Sequence, residues 1–164
     1  MAEPRLAVDV GGGLTLRNPV IAASGTFGYG LEFAGVMDLT AIGAIVVKGL
    51  SLEPHRGHAV PRILETSAGR LNAIGLQNVG VRAFVEEKLP LLRQIGTPIV
   101  ANCWGHAPEE FGEVAARLAD AEGLAAVEIN VACANKRGWG RIIATAPNPA
   151  RPGARSVRQR ARRP

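Results

Sequence analysis

The chain has 164 residues, enough for one domain with a real core but not comfortably for two. Hydrophobic residues make up 47% and charged residues 20%, a balance that excludes disordered and fibrous classes, and with 4% aromatics the core must come from Val, Ile, Leu and Ala. The net charge of +5 averages two unlike segments: residues 1–135 hold ten Lys and Arg against fourteen Asp and Glu, while residues 136–164 hold nine Lys and Arg and no acid. Basicity confined to the tail argues against nucleic acid as a partner of the folded part.

No apolar run approaches the roughly 20 residues that span a bilayer. Glu3 and the lack of a continuous apolar stretch before Gly11 give no secretory signal, so the expectation is a cytoplasmic protein with no membrane contact. Cys103 and Cys133 stand thirty positions apart without a CxxC pattern and are expected as free thiols.

In chain order, Leu6–Val10 and Leu14–Arg17 flank three glycines, Gly11 to Gly13, which predicts a β-hairpin. Four short apolar runs follow: Val20–Ala23, Ala44–Val47, Pro98–Ala101 and Ala125–Ile129. Each is nearly continuously apolar and bounded by Gly, Pro or polar residues, as strands buried on both faces are. A weaker helix is expected over Leu31–Leu39. Val81, Phe84, Val85, Leu89, Leu92 and Ile95 recur at helical spacing and predict a helix over Val81–Ile95. A further helix is predicted from about Pro108 to Ala121, with a first-turn proline and Glu109 and Glu110 at its positive end. Strand–helix alternation of this kind predicts an α/β fold with a parallel sheet. From Lys136 onward Arg, Pro, Ala and Gly dominate, and a disordered basic tail is expected.

The runs end in Ser24, Lys48, Asn102 and Asn130, and ligands in parallel α/β folds bind at the carboxyl ends of strands. A lysine directly after Ile45, Val46 and Val47 is hard to explain by packing. The connection from Gly49 to Gly80 is far longer than the usual two to six residues, and its Leu71–Asn78 stretch alternates amides with apolar residues. That stretch reads equally as a ligand loop or as a lid with its own hydrogen bonds. Cys133 lies between Asn130 and Asn135 after the fourth run and could be a nucleophile or base, although free cysteines are more often inert; Cys103 is expected to be inert. Gly25–Gly30 has the spacing GxxGxG rather than that of a dinucleotide turn. His55 and His58 lack a third ligand, so no metal is expected. Trp104 and Trp139 are expected to be packing residues.

Several ordered motifs together resemble the dihydroorotate dehydrogenases: Arg17–Gly30, Val47–Pro54, Pro61–Thr66 with Leu71–Asn78, Pro98–Asn102, and Glu128–Cys133. The Leu71–Asn78 stretch resembles the class 1B branch, whose catalytic subunit pairs with an FAD and iron–sulphur electron-transfer subunit. The resemblance implies the N-terminal half of a (β/α)8 TIM barrel, preceded by the hairpin, over residues 1–135, with 136–164 as a non-family basic tail. It implies FMN as cofactor, held by Ser24, Lys48, Gly49, Asn102 and Asn130. It further implies dihydroorotate or orotate held by Lys48, Asn72, Ala73, Ile74, Gly75, Leu76, Asn130 and Asn135. Cys133, with Lys48, would be catalytic, the thiol removing a proton from C5 of dihydroorotate on the way to UMP. A homo-oligomer is implied as well. Ala132 and Ala134 stand where the family usually has serine and proline, which loosens the cysteine loop. Because such a barrel needs on the order of 250 residues, a truncated or frameshifted product is expected, inactive as it stands. The alternatives are a related flavin barrel acting on another reduced pyrimidine, and a non-functional fragment with an incidental nucleic-acid-binding tail.

Overall fold

The computed structural model describes residues 4–131, built as a parallel sheet carrying helices, with two small antiparallel hairpins beside it. The first hairpin pairs β1 (Val8–Asp9) with β2 (Thr15–Leu16), and Gly11, Gly12 and Gly13 all take positive φ between them. Such backbone is nearly strain-free only for glycine, which is why three occur together.

The main sheet contains β3 (Ile21–Ala22), β4 (Ala44–Leu50), β7 (Ile99–Cys103) and β8 (Ala126–Ile129), in the order β3-β4-β7-β8 with every pairing parallel. All four predicted runs are therefore strands. Two extend further than expected: β4 continues through Lys48 to Leu50, and β7 through Asn102 to Cys103. Lys48 thus sits within a strand rather than after one. Polar ends escape a reading based on apolar continuity, because the ladder continues wherever the backbone finds a partner.

Side-chain alternation divides the sheet into two faces. Ile45 and Val47 of β4, with Ile99, Ala101 and Cys103 of β7, enter the main core. Val127 and Ile129 of β8 pack against it. Helices cover this face. One comprises α1 (Gly80–Ala83), a π turn (Phe84–Lys88) and α2 (Leu89–Arg93); the other is α3 (Pro108–Ala119). Val81, Phe84, Leu89 and Leu92 are fully buried against the sheet, as are Val114, Ala115 and Leu118 from α3. The other face carries Val46, Lys48, Asn102 and Glu128.

The predicted helix over 81–95 contains a wide turn that regular spacing does not anticipate. Leu89 N–H donates to the Phe84 carbonyl, five residues back. Pro90 explains it: proline has no N–H to donate, and its ring crowds the carbonyl four residues earlier, so the preceding turn widens. The same widening brings Phe84 and Leu89, five apart, onto the buried face.

One expectation is corrected. Leu31–Leu39 is not one helix but two 3₁₀ turns, Leu31–Phe33 and Leu39–Ala41. Gly35 weakens any continuation, and the Asp38 side chain accepts from Thr40 N–H at 2.8 Å, capping a new turn in place of extending the old one. The connection after β4, notable in the sequence for its length, holds secondary structure of its own. It contains a hairpin of β5 (Ile63–Thr66) and β6 (Gly69–Asn72), closed by Ser67 and Ala68. Every residue of both strands is exposed, so no burial alternation marks them, and the turn lacks the Asn-Gly or Asp-Gly pair that signals a hairpin. The basic stretch 136–164, with Trp139, lies outside the described residues. Among the described residues no helix is long and apolar enough to cross a membrane.

Candidate active site

The carboxyl ends of the parallel strands converge on a cavity of about 710 Å3, within the range that holds small organic ligands. Ser24, Lys48, Gly49, Asn102 and Asn130 all line it, brought from the ends of β3, β4, β7 and β8. Across from them stands the 49–80 excursion, which contributes Asn72, Ile74, Gly75 and Leu76. Ala73 is not part of the wall. Its N–H donates to the Arg62 carbonyl at 2.8 Å and its carbonyl meets His58 Nδ1 at 3.0 Å, so it anchors the loop instead. Cys133 and Asn135 lie outside the described residues.

The curl of the sheet is what makes this convergence possible. β3 and β8 are its two edges, which in a flat sheet would be about 14 Å apart, three strand spacings. Yet Ser24 Oγ, just past β3, donates to Glu128 Oε1 of β8 at 3.3 Å. Asn102 Nδ2 donates to the same carboxylate oxygen. Asn102 and Glu128 are register partners across β7 and β8, so they share the face opposite the helices.

Asn102 is 2% exposed, and its Oδ1 is buried without a hydrogen-bond partner among the described residues. An unsatisfied buried acceptor costs of order 1–3 kcal/mol, so its occurrence in a cavity wall points to a ligand donor. Gly49 is required beside it: a Cβ there would lie 2.6 Å from Asn102 Oδ1 and 3.0 Å from Trp104 Cδ1. Lys48 is half-buried, and its N–H donates to the Gly28 carbonyl at 2.8 Å, which ties the Gly25–Gly30 turn to β4. Lys48 and Arg70 are the charged residues among those lining the cavity, so its field favours an anionic ligand.

The opposite wall is held by local polar contacts. Asn78 is buried; its Oδ1 accepts from Gly80 N–H at 2.8 Å and Ser51 N–H at 3.2 Å, and its Nδ2 donates to the Leu76 carbonyl at 2.9 Å. Leu76 is thereby kept at φ 57°, a left-handed conformation that costs a residue with a Cβ roughly 1–2 kcal/mol. Gly75 has φ 77° and presses on His58, whose ring a Cβ would approach to 2.8 Å. Arg62 reaches across to Gln77 Oε1 and donates to the Arg56 carbonyl at 3.0 Å. The middle of the Leu71–Asn78 stretch thus lines the cavity, while Asn78 secures the loop.

Cys103 is buried on the helix-facing side of β7, and its thiol is pushed up to about 12, by burial first and by the Glu128 carboxylate second. It is a neutral packing group near neutral pH, not a nucleophile. Trp104 is likewise buried, its Nε1 donating to the Gly49 carbonyl at 3.2 Å. Among the described residues no group of three His, Cys, Asp or Glu is placed to hold a metal ion.

Sequence reading missed Glu128, Arg70, Thr26 and Ile63, and took Gln77 only as one of the amides of the Leu71–Asn78 stretch. For Glu128 there was a signal: a carboxylate in the middle of the apolar run Ala125–Ile129 is costly unless its lone pairs find donors. Arg70 and Ile63 gave none, because they reach the cavity only through the unforeseen hairpin.

Comparison with known proteins bears on the family and the fold. The family model described as dihydroorotate dehydrogenase matches residues 5–161. The chain is 49% identical, over its whole length, to a protein of Citrifermentans bemidjiense named dihydroorotate dehydrogenase B (NAD(+)), catalytic subunit, of which it covers 53%. The protein of the same name from Geobacter sulfurreducens is 52% identical over 159 residues, 97% of this chain and 52% of that one. The chain thus spans about half the length of the curated relatives it matches. Among solved structures, the crystal structure of DHODH in complex with ferulenol from Eimeria tenella superposes with a TM-score of 0.73 at 18% identity, over 96% of this chain and 44% of that one. The fold is accordingly that of the N-terminal half of a TIM barrel, as the sequence motifs implied.

Proposed function

This chain belongs to the dihydroorotate dehydrogenase family, and we propose that it carries the N-terminal part of an FMN site for oxidation of dihydroorotate to orotate in pyrimidine biosynthesis. One observation carries the reading. Four strand ends and Asn72, Ile74, Gly75, Leu76 and Gln77, distant in sequence, line a single cavity with two cations and an acceptor unsatisfied among the described residues.

The residues present fit a flavin. Ser24, Gly49, Asn102 and Asn130 would hold the ring system, with the Asn102 acceptor meeting a ring N–H. Lys48 would sit between flavin and substrate, favouring the orotate carboxylate and electron density gathering on the flavin. Asn72, Ile74, Gly75 and Leu76, with Asn130 and Asn135, would hold the amide-rich pyrimidine ring. When bound, FMN supplies the hydride acceptor for C6 of dihydroorotate. Cys133, three positions after Asn130 in the sequence, would be the base for the C5 proton. Residues 1–135 form the barrel segment in this reading, and the family match itself runs on into the basic stretch, to residue 161. The relatives' naming as a catalytic subunit supports an electron-transfer partner, which in class 1B carries FAD and an iron–sulphur centre. Self-association and a cytoplasmic location complete the proposal.

Titrating FMN into the purified chain, followed by quenching of flavin fluorescence, tests it. Saturable binding is expected, and Lys48→Ala should weaken FMN and orotate binding by about tenfold, the scale of one lost charge-assisted hydrogen bond. Absence of saturable FMN binding in the unaltered chain would overturn the reading, and unchanged affinities in the variant would remove Lys48 from the site.

A further inference from the structure

We propose that Glu128 is a positioning residue that sets the hydrogen-bond polarity of the cavity wall, turning acceptors rather than donors toward the bound ring. The proposal rests on the flavin reading above. Glu128 Oε1 accepts from both Ser24 Oγ and Asn102 Nδ2, and a carboxylate can only accept. The Ser24 hydroxyl proton is therefore spent on Glu128, leaving its oxygen lone pairs for a ligand. The Asn102 amide is held with its nitrogen toward Glu128, so its oxygen stays on the other side, over Gly49, buried and without a partner among the described residues. The register pairing of Asn102 with Glu128 fixes the two side chains next to each other on one face.

An amide at position 128 would lose this discrimination. A glutamine can donate as well as accept, so the Asn102 amide could turn over and present its NH2 to the cavity. The acceptor wall selects a planar ring that offers an N–H in its plane. The oxidised isoalloxazine ring has one such group, at N3, between two carbonyls. Glu128 then acts on the flavin only through Asn102 and Ser24, and its charge makes both of those bonds stronger than neutral ones.

The experiment compares FMN with N3-methyl-FMN, which lacks that proton, in the unaltered chain and in Glu128→Gln. The unaltered chain is expected to prefer FMN by about tenfold or more, and the variant to lose most of that preference by binding FMN more weakly. A second measurement needs no variant. In the complex with 15N-labelled FMN the N3 proton should move downfield of its free position and exchange slowly with water. A preference unchanged in Glu128→Gln, or an N3 proton at its free-flavin position in the unaltered complex, would overturn the proposal while leaving FMN binding intact. Failure of the unaltered chain to bind FMN at all would instead remove the flavin reading, and this inference with it.

Discussion

The parallel sheet and the excursion between β4 and α1 form facing walls of one cavity, but different forces hold them. In the sheet, β4 runs Ala44–Leu50 with six of its seven residues buried, and its helix-facing side chains meet Phe84, Leu89, Leu92 and Val114 in one core. In the excursion, Val60, Ile63, Leu64 and Leu71 are exposed, and order comes from Arg62, His58 and Asn78 reaching backbone and amide groups. Apolar burial is non-directional and tolerates many sequences, so it suits a scaffold. Hydrogen bonds fix particular atoms in particular places, so they suit a wall that must present amides to a ligand. The wall that contributes most loop atoms to the cavity is therefore also the one with least burial to stabilise it.

The largest expected effect separates the two regions. Phe84→Ala empties a fully buried position under the sheet and should cost about 3–5 kcal/mol. Leu71→Ala, on the exposed hairpin strand, should change stability by no more than about 0.5 kcal/mol. Urea midpoints of the two variants test the contrast, and equal losses would mean the hairpin belongs to the core.

A smaller effect should come from the polar anchor of the excursion. Asn78→Ala leaves Ser51 N–H and Gly80 N–H without the side-chain oxygen that pairs them, at a cost of about 1–3 kcal/mol. Proteolysis should then cut more readily within 57–77 than within the sheet. Uniform cleavage across the chain would show instead that Asn78 supports the whole fold.

The smallest concerns pH. The Cys103 thiol is raised from 9.0 to about 12 in the folded chain, so between these values the unfolded state binds fewer protons than the native state. Stability should therefore fall as pH rises through this window, by up to about 1.4 kcal/mol per unit, and be insensitive to this group below it. Measured at pH 8 and pH 10, unfolding midpoints should diverge less in Cys103→Ala than in the unaltered chain. An identical pH dependence in both would place the thiol in contact with water.

Much of the scaffold was legible because its strands are continuous apolar runs and its helices repeat at regular spacing. Both patterns are local. The sequence by itself determined the four parallel strands, the glycine hairpin, the two main helices and the convergence of Ser24, Lys48, Asn102 and Asn130, since strand ends in such folds share one side. Its ordered motifs also determined the family. Tertiary structure alone decided the rest. The β5–β6 hairpin is exposed on both faces and left no periodic trace, so Ile63 and Arg70 could not be placed at the cavity. The π turn depends on how Pro90 distorts the helix before it. The Glu128 bridge between the two edges of the sheet depends on curvature, which is a property of packed strands and belongs to no single run of residues.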